Sequence, residues 1–182
     1  MDDDALMRQV AAGDERAFAA IVTTYQRPLT RFAERIVVSD PQSAHDIVQE
    51  AFLGLWRTRS VYLPQSCLRS FLYRIVHNVS LSYIRRTKAA ASLDPIYDAA
   101  PSMTASPEVT AEACALGEAV RLAVRELPES QRAVFVLNQY EQLSYREIAA
   151  ILDCPIGTVA SRKRLAVEAL RGKLRDWMDN ET

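Results

Sequence analysis

Residues 143–174 read LSYREIAAILDCPIGTVASRKRLAVEALRGKL, and they predict two helices joined by a tight turn. Ser144 and Glu147 have the spacing of a capping box, which places the start of the first helix at this serine. Apolar side chains then recur at helical spacing. Pro155 ends that helix, because proline disfavours the α conformation in the residue before it.

A second helix is predicted to start near Thr158, whose hydroxyl is suited to cap it. Its apolar side is formed by Val159, Ala166, Leu170 and Leu174. The polar and basic residues near its start fall largely outside this stripe: Ser161, Arg162, Lys163 and Arg164. Such a pair of helices is typical of the helix-turn-helix, whose second helix reads the major groove of DNA. An ordinary helical hairpin with a solvated basic face is the alternative interpretation.

Charged residues are unevenly distributed along this chain of 182 residues, whose formal net charge is −1. Residues 1–56 carry nine acids and five bases, whereas residues 69–88 carry five bases and no acid. Residues 89–113 carry four acids and no base, and residues 155–175 carry six bases against one acid. Two basic segments separated by an acidic spacer indicate two phosphate-facing surfaces on a chain that is neutral on average.

The three cysteines, Cys67, Cys114 and Cys154, predict neither a disulfide framework nor a metal site, and free thiols are typical of the reducing cytoplasm. His45 and His77 have no partner at metal-ligand spacing and are interpreted as structural or surface residues. The amino terminus, MDDD, does not resemble a signal peptide, and no apolar run approaches the roughly 20 residues that cross a bilayer. We therefore expect a soluble cytoplasmic protein with no cofactor and no membrane-inserted segment.

Helical periodicity dominates the sequence, glycine is scarce and no alternating strand pattern is present, so the predicted fold class is all-α. Pro28 is expected either to kink the second helix or to restart it. Residues 89–111 are rich in alanine, serine and proline and lack periodicity, which is typical of a mobile linker between two helical domains. The expected helices cover about residues 4–12, 14–37, 41–57, 68–88, 112–127, 129–140, 144–152 and 158–174.

Two helices of the first domain carry candidate functional residues. Helix 41–57 groups Asp46, Gln49 and Glu50 as an acidic and polar patch, for which a plain solvated surface is the alternative. Helix 68–88 interleaves aromatic residues with five bases. That pattern can stack on unpaired bases while neutralising phosphates, although core packing explains the aromatic residues equally well.

Across nearly its whole length the chain resembles bacterial RNA polymerase sigma factors of the extracytoplasmic-function (ECF) type. Three stretches show the resemblance: DIVQEAFLGLW (46–56), LRSFLYRIVHNVSLSYIRR (68–86) and LPESQRAVFVLNQYEQLSYREIAAILDCPIGTVASR (127–162). Their order and spacing, with a linker between the second and the third, make it specific. The resemblance implies that residues 1–88 form sigma region two, that residues 89–111 are the linker, and that residues 112–182 form sigma region four.

The resemblance implies a transcription initiation factor that binds core RNA polymerase and directs it to the −35 and −10 elements of promoters. Its expected partners are promoter DNA and core RNA polymerase, through the β′ clamp helices and the β flap. An anti-sigma factor that wedges between the two domains is also expected. No catalytic residue, metal site or cofactor is implied.

Particular residues acquire roles from the same resemblance. Asp46, Gln49 and Glu50 would dock on the β′ clamp helices. The loop 59–67 and the helix that follows it would capture the non-template strand of the −10 element. The residues implicated there are Arg69, Phe71, Tyr73, Arg74, Asn78, Tyr83, Arg85 and Arg86. The −35 element would be read near the start of the recognition helix, by Pro155, Thr158, Ser161, Arg162, Lys163 and Arg164.

Several positions depart from the family pattern. Phe71 stands where relatives often have tryptophan, which preserves an aromatic surface, and Ser82 replaces a common aspartate. Three positions of the recognition helix lack basic residues that are frequent in relatives: Ala160, Leu165 and Val167. We therefore expect this helix to contact fewer phosphates than average, with Lys163 and Arg164 compensating.

Other functions explain the sequence less completely. A stand-alone helix-turn-helix regulator with an unrelated helical sensor domain is the alternative, but it accounts only for the carboxy-terminal third. An enzyme is disfavoured because the sequence shows no nucleophile–base motif, no Gly-rich phosphate loop and no metal-ligand cluster. A sigma-like protein that has lost activity is disfavoured because all three characteristic stretches are intact.

Overall fold

A computed structural model describes residues 3–61, 67–91 and 111–180. Every regular element in these ranges is helical, which confirms the predicted all-α class. The predicted linker lies outside the described residues except at its ends, because residues 89–91 continue one helix and residue 111 begins the next. The described residues divide into two compact units, the first built mainly on residues 3–61 and 67–91 and the second mainly on residues 111–180.

The described residues of the first unit form four α-helices. They are α1 (Asp3–Ala11), α2 (Glu15–Ile36), α3 (Ala44–Arg57) and α4 (Leu68–Ala91). Helix α2 packs against the other three, and α3 also packs against α4. The core between them is lined by large side chains that solvent does not reach, among them Ile21, Leu29, Phe32, Leu55 and Leu72. Burial of such side chains supplies most of the stability of a helical unit of this size.

Helix α2 begins after Asp14, whose carboxylate accepts hydrogen bonds from the backbone N–H groups of Arg16 (2.8 Å) and Ala17 (3.2 Å). The helix then runs without interruption through Pro28, so this proline neither ends nor restarts it. Proline removes one backbone hydrogen bond from the ladder. The fully buried Leu29 that follows it keeps this part of the helix packed in the core.

Helix α3 begins later than the sequence predicts. Pro41–Ser43 form a 3-10 turn, and the α-helix proper starts at Ala44. The Ser43 hydroxyl and backbone N–H both donate to the carbonyl of Asp40, at 2.7 and 3.3 Å. The connection between α2 and α3 is therefore tied to the first turn of α3.

The second unit contains α5 (Ala111–Arg125), α6 (Glu129–Gln139), α7 (Tyr145–Leu152) and α8 (Ile156–Asn180). Helix α8 packs against α5 and α6. The α5–α6 connection is held by Arg132, whose side chain is buried and donates from Nη1 to the carbonyls of Arg125 (2.9 Å) and Leu127 (3.0 Å). These bonds satisfy the carbonyl of the last residue of α5 and a second carbonyl in the α5–α6 connection.

The capping box predicted at the start of α7 is confirmed. Glu147 Oε2 accepts from the Ser144 backbone N–H at 2.8 Å and from its hydroxyl at 2.6 Å. The helix ends at Leu152. Asp153, which follows it, has a positive φ of 48°, and the N–H of Cys154 bonds back to the carbonyl of Ala149. This is the hydrogen-bond pattern of a Schellman motif. An aspartate tolerates the left-handed conformation that glycine usually supplies here.

The predicted cap of the second helix is wrong. Helix α8 begins at Ile156, and the N–H groups of Thr158 and Val159 both bond to the carbonyl of Pro155. Thr158 therefore lies inside the first turn. Proline has no N–H and a helical φ, so it starts a helix readily without a side-chain cap.

Candidate nucleic-acid interface

Asp46, Gln49 and Glu50 lie together on one side of α3, and all three are exposed. Their spacing of three and four residues places them on one helical face. Gln49 Nε2 lies 2.9 Å from the Nε2 atom of His45, so the amide is held in place by the preceding turn. We call Asp46, Gln49 and Glu50 the docking patch.

An apolar groove of about 280 Å³ continues from the docking patch between α2 and α3. It is lined by Phe18, Val22, Gln26, His45, Val48, Gln49, Phe52 and Leu53. Leu53 is 54% exposed although it is a large apolar residue. This groove was not predicted from the sequence, although the four-residue spacing of Phe18 and Val22 indicates that both side chains lie on one face of α2, which forms its second wall.

Four of the residues predicted to contact the −10 element share one solvent-facing side of α4. They are Phe71, Arg74, Asn78 and Arg85, and we call them the outer stripe. Their spacing of three, four and seven residues repeats the helical period. The Arg74 guanidinium lies 5.2 Å from the centre of the Phe71 ring, so a cation and an aromatic face are presented together. Unpaired bases stack on such surfaces while their phosphates are neutralised.

Tyr73 does not belong to that surface. Its side chain is 1% exposed, and its ring packs edge-on against Phe32 with 5.2 Å between the ring centres. The prediction that Tyr73 contacts DNA is therefore corrected, because a ring enclosed between α2 and α4 cannot stack on a base. Tyr73 is a core residue.

Three further residues of the predicted set lie on other sides of α4. The Arg69 guanidinium lies 5.8 Å from the ring of Tyr73. The Tyr83 hydroxyl donates to Asp40 Oδ2 at 2.5 Å, and Arg86 lies 4.0 Å from Glu50 of the docking patch. The structure thus separates the outer stripe from side chains that link α4 to its neighbours.

The loop predicted to capture the −10 strand begins with a 3-10 turn at Arg59–Val61, and residues 62–66 lie outside the described residues. The Arg59 guanidinium stacks over the Trp56 ring at 4.2 Å and donates to the Trp56 carbonyl at 2.7 Å. The centre of the Trp56 ring in turn lies 4.9 Å from the centre of the Phe18 ring. Arg59 is therefore fixed to the end of α3 by both stacking and hydrogen bonding.

The candidate −35 residues surround the start of α8 but do not share one face. Pro155, Ser161 and Arg164 are exposed, whereas Thr158 and Arg162 are partly covered. Arg164 Nη1 pairs with Glu168 Oε1 at 2.7 Å on the outer side of the helix. Arg162 Nη1 lies 3.8 Å from the sulfur of Cys154 in the preceding turn, so its side chain is drawn back toward α7.

Lys163 points inward, which corrects its predicted place on the DNA-facing surface. Its side chain is 8% exposed, and the ammonium lies 4.5 Å from the centre of the Phe135 ring on α6. Within the described part of the chain, Nζ has no hydrogen-bond partner. Burial lowers the pKa of Lys163 to about 8. Lys163 lies four residues after Val159 and three before Ala166, so it shares the face of the apolar stripe, and this spacing already indicated that its side chain points inward.

Comparison with known proteins identifies the family. Residues 21–90 match sigma-70 region 2, and residues 117–170 match sigma-70 region 4. The ECF RNA polymerase sigma-E factor of Escherichia coli is 32% identical over an alignment of 184 positions, which covers 96% of this chain and 95% of that protein. The chain belongs to the ECF sigma factor family. The RNA polymerase sigma-H factor of Pseudomonas aeruginosa is similar to this sigma factor at 32% identity over 92% of the chain and 91% of that protein.

Solved structures share the fold of this sigma factor. CnrH, in complex with the cytosolic domain of CnrY, aligns over 100% of both chains with a TM-score of 0.69 and 23% identity. The sigma factor RpoE of Bartonella quintana, in complex with the anti-sigma factor NepR, aligns over 87% of this chain and 96% of its own with a TM-score of 0.73 and 24% identity.

Neither a membrane-spanning helix nor a metal-binding group is present among the described residues. None of the helices in the described ranges has both the length and the apolar character that a membrane span requires. Those same ranges hold no group of His, Cys, Asp and Glu side chains arranged to bind a metal ion.

Proposed function

We propose that this sigma factor docks on core RNA polymerase through its first unit, opens the promoter at the −10 element with α4, and holds the −35 element with α8. Residues 1–88 and 112–182 are the two proposed functional domains. The main support is the side of α4 that carries the outer stripe, because cations, an aromatic ring and an amide face solvent together there. The docking patch on α3 is equally accessible and carries the opposite charge.

The proposed steps are consistent in energy. A base that leaves the stack costs a few kcal/mol, and stacking on an aromatic side chain returns roughly 1–3 kcal/mol per base. A bidentate contact from Arg162 or Arg164 to a base edge would add about 1–3 kcal/mol of discrimination at the −35 element. The polymerase holds both DNA sites on one molecule at high effective concentration, so neither needs tight binding by itself. The chain therefore does not need a strongly basic composition to bind promoter DNA, and its net charge of −1 is compatible with the proposal.

An anti-sigma factor is the proposed regulator. The structural relatives named above were captured with the cytosolic domain of CnrY and with the anti-sigma factor NepR. We propose that an inhibitor of this kind covers the surfaces that bind polymerase and DNA. This proposal requires a mobile linker between the two units, and protection of residues 92–110 from proteolysis in the free chain would contradict it.

In vitro transcription tests the proposal directly. Purified core polymerase, with and without the full chain, is supplied with a library of bacterial promoter fragments, and discrete transcripts that require the chain are expected. The double variant Asp46→Ala/Glu50→Ala should abolish them, because it removes both carboxylates of the docking patch. The matched control Glu15→Ala/Glu34→Ala removes the same charge from exposed positions on α2 and should leave transcription intact.

The same experiment separates the alternative function. A stand-alone regulator predicts no new transcripts, together with tight binding of duplex DNA by the chain in the absence of polymerase. Equal transcription by the double variant and the control would contradict docking through Asp46 and Glu50.

A further inference from the structure

Asp40 and Tyr83 form a contact across 43 residues of sequence. The Tyr83 hydroxyl donates to Asp40 Oδ2 at 2.5 Å, and the tyrosine ring is half-buried between α4 and the α2–α3 connection. A hydrogen bond from a hydroxyl to a carboxylate is charge-assisted and stronger than one between neutral groups. This bond and burial raise the pKa of Tyr83.

The carboxylate of Asp40 is diverted from the role that its position suggests. Asp40 precedes the 3-10 turn Pro41–Ser43, where an aspartate usually caps the helix that follows, yet it makes no such side-chain bond. Its backbone carbonyl instead accepts from Ser43, which fixes Asp40 to the start of α3. The Asp40 side chain is therefore free to bond to Tyr83, and this contact joins α4 to the start of α3.

Tyr83 is well placed to restrain the end of α4. The first half of this helix is anchored by Leu68, Leu72 and Tyr73, all essentially inaccessible to solvent. Ile84 is the last residue of α4 that the described structure shows as buried, and in the following turn only Thr87 is partly covered. The pair between Arg86 and Glu50 is a second link, but both side chains are more than 60% exposed, and such pairs contribute little.

We propose that Asp40 is a positioning residue, which holds Tyr83 and thereby sets the rotation and direction of the second half of α4. Asn78 of the outer stripe lies five residues before Tyr83 and Arg85 lies two residues after it, both on a different side of the helix. When the bond between Asp40 and Tyr83 is lost, Asn78 and Arg85 are no longer held in a fixed position relative to the separated non-template strand. This inference rests on the proposed function of α4 in strand opening.

The test uses holoenzyme assembled from core polymerase and the full chain, on a promoter found in the transcription experiment. The affinity of this holoenzyme is measured for a fork-junction fragment with a single-stranded −10 non-template strand and for a duplex fragment that ends upstream of −10. The affinity of the free chain for core polymerase is measured separately. Asp40→Ala and Tyr83→Phe should lower fork-junction affinity about tenfold, as expected for loss of one charge-assisted hydrogen bond. Affinity for the upstream duplex and for core polymerase should change by less than about twofold.

The sign of the Asp40→Ala effect distinguishes positioning from direct contact. A carboxylate near DNA repels phosphate, so its removal should tighten binding if Asp40 acted only through its charge. Positioning predicts weaker binding. Asp40→Asn keeps an acceptor oxygen for the Tyr83 hydroxyl and should restore most of the fork-junction affinity.

Tyr25→Phe is the matched control. The Tyr25 hydroxyl also donates to a carboxylate, that of Asp3, at 2.5 Å, but the bond joins α2 to α1. This variant should shift thermal unfolding as much as Tyr83→Phe does and leave fork-junction affinity unchanged.

Three outcomes would overturn the proposal. The first is a Tyr83→Phe variant that binds the fork-junction fragment as tightly as the wild type does. The second is an Asp40→Asn variant that binds this fragment no more tightly than Asp40→Ala does. The third is a loss of affinity for core polymerase in Asp40→Ala and Tyr83→Phe that equals their loss of fork-junction affinity. Failure of the proposed function looks different, because the wild-type chain itself would then open no promoter.

Discussion

The ammonium group of Lys163 lies 4.5 Å above the centre of the Phe135 ring, inside the second unit and without a hydrogen-bond partner in the described residues. Its neighbours in sequence, Arg162 and Arg164, point elsewhere. The contact joins the recognition helix α8 to α6. A cation–π interaction of about 0.5–2 kcal/mol only partly offsets the cost of removing an ammonium group from water.

Replacement of Lys163 by methionine should therefore stabilise the second unit. Methionine fills a similar volume without a charge, and we expect a gain of about 1–3 kcal/mol, the cost of an unsatisfied buried polar group. Hydrogen exchange of the α6 and α8 amides in the full chain measures this gain. DNA affinity and its salt dependence should be retained.

Arg164→Met is the contrasting variant on the exposed side of α8. If Arg164 contacts a phosphate, its loss should reduce the slope of log affinity against log salt by about one and leave stability nearly unchanged. Equal losses of DNA affinity in the two variants would contradict the inward placement of Lys163.

The pH dependence of stability provides a second test of Lys163. Burial lowers the pKa of Lys163 from 10.5 to about 8, so the unfolded chain binds more protons than the folded chain between these values. Stability must rise with pH wherever the unfolded state binds more protons. Urea unfolding of the full chain should show this rise from pH 8 upward, and Lys163→Met should reduce it.

His77 should make the first unit sensitive to acid. Burial lowers its pKa from 6.5 to about 4, and its Nδ1 atom has no partner among the described residues. Stability is fully present above pH 6.5 and is lost as the pH falls toward 4, because only the unfolded state is protonated in that window. A shift of this size corresponds to at most about 3 kcal/mol.

Urea unfolding at several pH values measures the acid sensitivity. His77→Leu should show a weaker loss of stability between pH 6.5 and 4 than the wild type does. His45→Leu, at an exposed position on α3, should lose stability as the wild type does. Identical pH profiles for the wild type and His77→Leu would contradict this assignment.

Phe71 and Tyr73 should separate function from stability, although they lie two residues apart on α4. Phe71→Ala should reduce promoter opening by about 5- to 150-fold, the equivalent of roughly 1–3 kcal/mol of stacking, with little change in stability. Phe71→Trp keeps an aromatic surface and should retain activity. Tyr73→Ala should destabilise the first unit by about 3–5 kcal/mol, because it empties a fully buried site.

Permanganate reactivity of unpaired thymines measures opening, and thermal unfolding of the full chain measures stability. A Phe71→Ala variant that unfolds as readily as Tyr73→Ala would place Phe71 in the core and contradict the outer stripe.

The capping box should stabilise the first helix of the helix-turn-helix. Ser144→Ala removes the hydroxyl that bonds to Glu147 and should cost about 0.5–2 kcal/mol. Hydrogen exchange in α7 should accelerate accordingly. Ser130→Ala, at an exposed position in the first turn of α6, is the control and should change exchange in α7 little.

The sequence by itself determined the features that depend on neighbouring residues. Helical periodicity, the capping box at Ser144 and the break at Pro155 predicted the two helices α7 and α8 correctly apart from the cap at Thr158, because each signal acts within one or two turns of the chain. The docking patch was equally predictable, since spacings of three and four residues put Asp46, Gln49 and Glu50 on one face.

Tertiary structure decided which side each helix presents to its neighbours. Tyr73 was predicted on the nucleic-acid surface with Phe71, and only the position of Phe32 on α2 shows that it is a core residue. The partner of Tyr83 stands 43 positions earlier, where a local rule predicts a helix cap. The periodicity of one segment cannot predict a contact with a residue of another segment, because the partner depends on how the two helices pack against each other.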